Sequence, residues 1–441
     1  YMREYPNRKF YADSPTREEL NVPVVLAGDK TDAKVQPFLG NRYYKFKRRL
    51  VWWPNQEYMG LTWGRIFDIL GSPEKREILW KILYFREYPR TPDDWYHVHN
   101  MYLYVRKDVA QQLWDYGAAP QEVIELPADP LMEAHVDLPA AQVWGIVGTE
   151  PGMFNHPRGV AVGPEGNVYV VDSDNHRVQV FDTNGTFLRS WGSNCNLATG
   201  LGCADPDGDG PLSLGDGQFQ EPWGITVSDN GRVYVADTWN HRIQVFDSDG
   251  VFQDTWGSYG QTDTATSLLY GPRDIAIDNE GRLFVTDTGN KRVMVFGQNG
   301  SYLDQWGGGG MLPGQLEEPV GIDTDSEGNI YVADTWNQRV QVFDGDFVPL
   351  REWPVEAWYG ESVLNKPYLA VDDQDRVYIT DPEGYLVLAY SNEGELLATI
   401  GQFGYDDTSF SLPTGIDVDT EGYIYVTDTD GQRVIKFEPL P

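Results

Sequence analysis

The 441-residue chain is short of cysteine, of histidine and of positive charge. Its two cysteines, Cys195 and Cys203, stand eight residues apart in a glycine-rich stretch. A lone close pair outside any Cys-x-x-Cys motif reads as a loop disulfide of an oxidising compartment, with two idle thiols as the alternative. Lys and Arg number 34 against 67 Asp and Glu, a formal charge of −33. That deficit excludes a nucleic-acid binder that works by neutralising phosphates, because such a domain needs a basic face to release counterions. No run of 18 apolar residues occurs, and the opening YMREYPNRKF reads neither as a signal peptide nor as a membrane span. A chain that starts at Tyr1 reads as a processed form or a fragment, with any targeting or anchoring segment elsewhere.

What is present suffices for a core. Hydrophobic residues make up 41%, aromatics 13% and charged residues 23%, which excludes a disordered acidic tail, and the length suggests two to three domains. Gly 46 and Pro 28 favour many turns over long helices. The acidity is uneven. Residues 1–138 hold 19 basic and 20 acidic residues, whereas the remaining 303 hold 15 and 47. The composition changes at a Pro-rich, acidic stretch, Leu126 to Pro139, and the domain boundary is placed there.

From about residue 153 one pattern recurs: Pro-x-Gly, an apolar alternation, a Gly turn, a second alternation ending in Asp, a polar turn, then Arg-Val-x-Val-Phe. EPWGITVSDNGRVYVADTWNHRIQVFD is one of four clear copies, followed by a worn copy from Lys366 and a final one from Leu412. The strand-ending aspartates are Asp172, Asp237, Asp287, Asp334, Asp381 and Asp428, at steps of 65, 50, 47, 47 and 47. Three period-2 runs per copy and a fourth run closing on Trp-Gly or a relative of it describe a propeller blade. The last copy lacks its fourth run, while an orphan run, Gln142 to Gly145, precedes the first. Pairing the two closes a ring and leaves no sheet edge exposed. The chain is therefore expected to be mainly β: a small α/β domain over 1–138, then a six-bladed propeller over 139–441, with blades near 153–192, 218–257, 268–307, 315–354, 363–401 and 409–441 closed by a strand at 141–145.

This pattern resembles the NHL repeat, whose Asn-His-Leu appears here as Asn175-His176-Arg177 and Asn240-His241-Arg242. The Asp that ends each second strand, the Arg five residues on, His176 and His241 recur with the repeat. They are read as turn-formers rather than as functional sites. Positions that vary inside the repeat are more informative. The residue after each blade-opening proline lies near the mouth of the central channel: Arg158, Trp223, Arg273, Val320, Tyr368 and Thr414. Of these, Arg158, Trp223, Arg273 and Tyr368 are the candidate ligand-binding residues, with aromatics to stack on sugar or peptide and arginines to fork a carboxylate; an ordinary solvated rim is the alternative. No catalytic residue is assigned. Amidating lyases resemble the chain in fold but use histidines on zinc, and no blade here carries His outside the repeated turn and His156.

The insertion between the first two blades contains Asp-Pro-Asp-Gly-Asp-Gly-Pro-Leu-Ser-Leu-Gly-Asp, Asp205 to Asp216. Against the twelve-position calcium loop, Asp205, Asp207 and Asp209 fill positions 1, 3 and 5, and Gly210 the turn at 6. Pro211 offers a carbonyl at 7, Ser213 fits 9 and Asp216 fits 12. Hard oxygens at alternate positions suit Ca²⁺, so a structural calcium clip is expected, braced by the Cys195–Cys203 bridge. No helices flank the loop, and Asp at 12 has a short arm; a flexible acidic loop is the alternative.

In the first domain, Val22 to Gly28, Tyr43 to Trp53 and Met101 to Lys107 read as strands; residues 31–39, Ser72 to Tyr88 and Asp108 to Tyr116 read as helices. RLVWWPNQEYMGLTWGRIFDIL and MYLYVRKDVAQQLWDYG, followed by these repeats, look like the soluble tail of a family of large prokaryotic membrane proteins. That family's multi-span half is similar to glycosyltransferases using lipid-linked sugars, and it is associated with protein glycosylation or glycolipid flipping. The resemblance implies a non-catalytic, extracytoplasmic binding module for a glycan or a protein, with no nucleic-acid partner and a membrane link only through a segment outside this chain. A metal-dependent propeller hydrolase or lyase, and a structural component of a cell-surface assembly, are the alternatives.

Overall fold

The computed structural model describes residues 24–28, 35–36, 39, 42–51, 72, 99–107, 129–208, 212–262, 264–355, 357–358 and 366–441. The chain divides into two compact units, Tyr1–Leu126 and Pro127–Pro441. In the first, strands Val24–Gly28, His99–Arg106 and Tyr43–Val51 form an antiparallel sheet in that order. On the first strand alternation decides the face, with Val25 and Ala27 buried, whereas the central strand buries side chains on both faces, at Tyr104 and Val105. The helices expected at 72–88, apart from Ser72, and at 108–116 lie outside the described residues.

Among the described residues, the second unit contains six four-stranded antiparallel sheets. The first runs through Pro157–Val162, Val168–Asp172, Arg177–Phe181 and Phe187–Trp191. Four more follow in chain order, with innermost strands Ile225–Val227, Ile275–Ile277, Pro319–Thr324 and Leu369–Val371. Each innermost strand touches the next, and the sixth, Pro413–Val418, touches the first, so the ring is closed. The sixth sheet takes its outer strand from near the start of the second unit: Ala140–Trp144 pairs with Arg433–Phe437, Val434 opposite Trp144 and Lys436 opposite Gln142.

The core sits between blades. Val171, Val178 and Val180 of the first sheet pack with Ile225, Val233, Val235 and Phe246 of the second, and equivalent clusters fill the other junctions. The tryptophan that ends an outer strand covers the last turn of the next blade. At Gly185, whose φ is +78°, a Cβ would lie 2.8 Å from the Trp144 ring, so only glycine lets the indole lie flat. The fourth blade solves the same contact differently: Phe347, at φ 66°, stacks on Trp306 with centroids 4.6 Å apart and planes 3° from parallel.

Residues 129–138, assigned to the linker from composition, are part of this packing. Asp129 caps the short helix Pro130–Glu133, Thr399 Oγ1 donates to the Leu131 carbonyl at 2.7 Å, and the Val136 N–H donates to the Thr399 carbonyl at 2.9 Å. Leu138 is buried in the fifth and sixth blades' core.

Candidate functional site

The chain enters each innermost strand through a proline, and the preceding residue is left-handed at His156 (φ 52°), Glu221 (φ 43°), Gly271 (φ 61°) and Glu318 (φ 55°). The previous blade holds several of these corners. His176 Nδ1 accepts the Glu221 N–H at 3.0 Å, His241 Nδ1 accepts that of Gly271 at 3.0 Å, and Gln432 Oε1 accepts that of His156 at 2.7 Å. Burial lowers the His241 pKa, which suits a neutral ring accepting at Nδ1.

Four of the six residues after the prolines converge. The guanidinium carbons of Arg158 and Arg273 lie 3.7 and 3.6 Å from the Trp223 ring centre. Two carbons at that distance have no room on one face, so the indole is sandwiched between two cations. The Tyr368 hydroxyl donates to the Arg273 carbonyl at 3.0 Å. Val320 and Thr414 are instead buried in the packing. Around the sandwich, His156 Nδ1 meets Asp174 at 2.6 Å, Lys366 meets Glu318 at 2.7 Å, and the exposed Trp239 has the Arg273 guanidinium 5.2 Å from its ring.

The expected rim residues are less solvated than a rim: Arg273 is 9% exposed, Trp223 7% and Tyr368 3%. Burial draws the Arg273 pKa down to about 10, with nearby Tyr368 and Glu318 opposing the shift. Burial also lowers that of Arg158. Among the described residues, Arg273 Nε and Nη1 are buried without a hydrogen-bond partner. Among the described residues neither Arg158 nor Arg273 has a carboxylate within 4.0 Å, whereas Arg177, Arg242, Arg292, Arg339 and Arg433 all do.

Below the mouth lies a set that no sequence motif marks. Asp323 and Asp417 are half-buried on innermost strands and Asp274 is buried immediately before one, and each carboxylate accepts a backbone N–H from the next blade: Ile322 at 3.1 Å, Val371 at 2.7 Å and Val162 at 2.7 Å. Burial raises all three pKa values, Asp323 to about 6, Asp417 to about 7 and Asp274 well above its free value; mutual repulsion adds to the rise in Asp274 and Asp417. The sequence did carry a signal. Asp274 replaces the glycine of Gly159, Gly224, Gly321 and Gly415, and Asp323 and Asp417 stand where other copies have Ala161, Thr226, Ala276 and Ala370.

Comparison with known proteins matches the NHL repeat family at residues 154–181, 219–246, 269–296 and 316–343. The chain carries NHL repeats. It is 44% identical over 64 residues to Protein brain tumor of Drosophila melanogaster, covering 14% of this chain and 6% of that protein. It is 37% identical over 96 residues to NHL repeat-containing protein 2 of Homo sapiens, covering 21% and 12%. The matches thus span a small fraction of either relative's length. Among solved structures, a streptogramin B lyase aligns over 67% of this chain and 96% of its own, with TM-score 0.45 and 12% identity.

The repeated Asp and Arg of the NHL copies do more than form turns. In the second blade, Asp237 Oδ2 accepts from Arg242 Nε at 2.8 Å and Asn240 Nδ2 at 2.9 Å, while Oδ1 accepts the Gln220 N–H at 2.7 Å. Arg242 Nη2 then donates to the Gly215 and Gln218 carbonyls at 2.7 and 2.9 Å. The pair latches the incoming loop onto the sheet, and the same geometry recurs at Asp172, Asp287, Asp334 and Asp428. The worn fifth copy has Leu386 in place of the arginine.

Cys195 and Cys203 are disulfide-bonded. Within the insertion, Asp205 Oδ1 accepts from the Gly208 N–H at 3.1 Å and Asp207 Oδ2 from that of Leu212 at 3.2 Å. Asp216 is buried; its Oδ2 accepts the Ser213 N–H at 2.7 Å and its Oδ1 lies 3.7 Å from Arg242 Nη1. Asp209 and Pro211 lie outside the described residues. Among the described residues, no group of three or more His, Cys, Asp or Glu is gathered to hold a metal ion. No helix among them is long and apolar enough to cross a membrane.

Proposed function

We propose that the propeller is a non-catalytic binding module whose ligand, a protein segment or a glycan, docks on the face that carries the channel mouth. The observation behind this reading is the convergence of Arg158, Trp223, Arg273 and Tyr368 from four different blades, at positions where the repeat leaves the residue type free. Architecture alone asks for a small or apolar residue there, as at Val320 and Thr414. The exposed Trp239 ring beside desolvated cationic donors is the composition of a recognition site, whereas Trp223 and Tyr368 are buried and hold the arginines in place. Repeats of this family commonly serve protein binding, in keeping with this reading. The resemblance of the chain to the soluble part of a glycosyltransferase-like membrane protein, and its disulfide, support an extracytoplasmic setting in surface glycosylation.

A metal-dependent hydrolase or lyase is the second reading, and the mouth favours it less. His176 and His241 are engaged on backbone N–H groups and His156 sits between Asp174 and Asp430. The test is to screen the whole chain against peptide and glycan arrays, then titrate the best binder against Trp223→Ala and Trp239→Ala. A loss of tenfold or more in both variants is expected. Absence of any binder, or a binder indifferent to both changes, overturns the reading.

A further inference from the structure

We infer that Arg273, assisted by Arg158, is the receptor for a carboxylate group carried by the ligand that docks at the channel mouth; this rests on the binding-module reading above. The argument begins with a contrast. The repeat arginines each hold a carboxylate and one or more loop carbonyls, so their donors are used by the fold. Arg273 is as buried as those, yet its Nε and Nη1 have no acceptor. Leaving charged donors dry is costly, and a fold that needed only bulk at this position would use an apolar side chain. Trp223 keeps the two guanidiniums apart and holds both by cation–π contact, while the Tyr368 hydroxyl fixes the Arg273 backbone at 3.0 Å. Both cations are therefore preorganised before a ligand arrives.

The surrounding charge narrows the class. Glu221, Glu318, Asp174 and Asp430 lie close enough to act electrostatically on one or both arginines, and Lys366 is already paired with Glu318. A doubly charged phosphate entering that ring meets more repulsion than a singly charged, planar carboxylate, which also matches guanidinium geometry. The mouth thus selects an acidic group with one charge, presented on a ligand slender enough to reach a nearly enclosed arginine.

The experiment uses the whole chain and three small probes at constant ionic strength: acetate, its neutral isostere acetamide, and inorganic phosphate. Thermal midpoint and the tryptophan indole N–H resonances are followed, with Trp223→Phe to assign the Trp223 signal. Acetate is expected to raise the midpoint saturably and to shift the Trp223 resonance, with acetamide inert and phosphate weaker. Arg273→Met is expected to melt above the unliganded wild type, since it removes an unpartnered buried cation, and to lose the acetate response; Arg158→Met is expected to weaken it. An equal acetate effect in Arg273→Met, or an equal effect of acetamide, overturns the inference, and a phosphate effect exceeding that of acetate reassigns the group. Should Arg273→Met not fold, Arg273→Lys and Arg158→Met carry the same comparison. Array binders lost in Trp223→Ala but kept in Arg273→Met defeat the carboxylate and leave the binding module standing; binders kept in both defeat the module itself.

Discussion

At the scale of single residues, the molecule uses arginine in two opposite ways. Arg242 is clamped between Asp237 and two carbonyls and is part of the repeat. Removing its partner leaves a buried cation, so Asp237→Ala is expected to destabilise the propeller by about 3–5 kcal/mol, read by urea unfolding. Asp237→Ala with Arg242→Met is expected to recover part of that loss. Arg273 reverses the sign, because its replacement by Met removes a buried cation whose Nε and Nη1 have no hydrogen-bond partner to lose, and the thioether can still pack on Trp223. The sequence told which positions to watch: the residue after each proline is fixed in place by the repeat and free in chemistry. It did not tell that Trp223 and Arg273 are buried, since burial there depends on side chains that reach across from other blades. Nor did the recurrence of Asp and Arg distinguish a turn-former from an ion-paired latch, because both demand the same residue in every copy.

At the scale of elements, the closing strand was legible because an orphan period-2 run ahead of the first copy matched a missing one after the last. Its tryptophan is the most informative probe. Trp144 packs on Phe181 and Tyr425 and covers the turn at Gly185, joining the sixth blade to the first. Trp144→Ala is expected to cost about 3–5 kcal/mol and to speed hydrogen exchange in Arg433–Phe437 more than in the third blade. The segment before that strand has a composition that misleads, since Pro and acidic residues mark linkers on average, whereas here Val136 and Leu138 supply contacts that dock it. The insertion between the first two blades keeps the spacing of a calcium loop, and a structural calcium ion there stands as a proposal. Calorimetric titration with Ca²⁺ is expected to give heat with the wild type and none with Asp207→Ala, and equal heats exclude the site.

At the scale of the whole molecule, the charge of −33 is in part a consequence of how turns and blades are made. Asp182, Asp247, Asp278, Asp325, Asp344, Asp372 and Asp419 each accept two backbone N–H groups within a strand turn, so acidity accumulates with blade number. The inner aspartates add a pH dependence of the opposite sense to ordinary acid unfolding. Asp323 and Asp417 titrate near 6 and 7 in the folded chain, above the value of 3.8 for a free side chain. Their protonated forms therefore favour the folded state below the unfolded value, and that contribution is lost as pH rises through 6 to 7. A rise from 3.8 to about 6 corresponds to roughly 3 kcal/mol for Asp323. Relative to the wild type, Asp417→Asn is expected to gain stability between pH 5 and pH 8 as the charged form is removed, measured by thermal midpoint across that range.

The central claim is that the channel mouth is a recognition site built on an arginine the fold leaves unpaired. The most direct measurement is a crystal structure of the whole chain soaked in acetate, compared with an acetamide soak. The account predicts a planar anion hydrogen-bonded to Arg273 in the first and absent from the second. Acetate bound only elsewhere, or a neighbouring carboxylate of the chain itself closed onto Arg273 in both crystals, would contradict it.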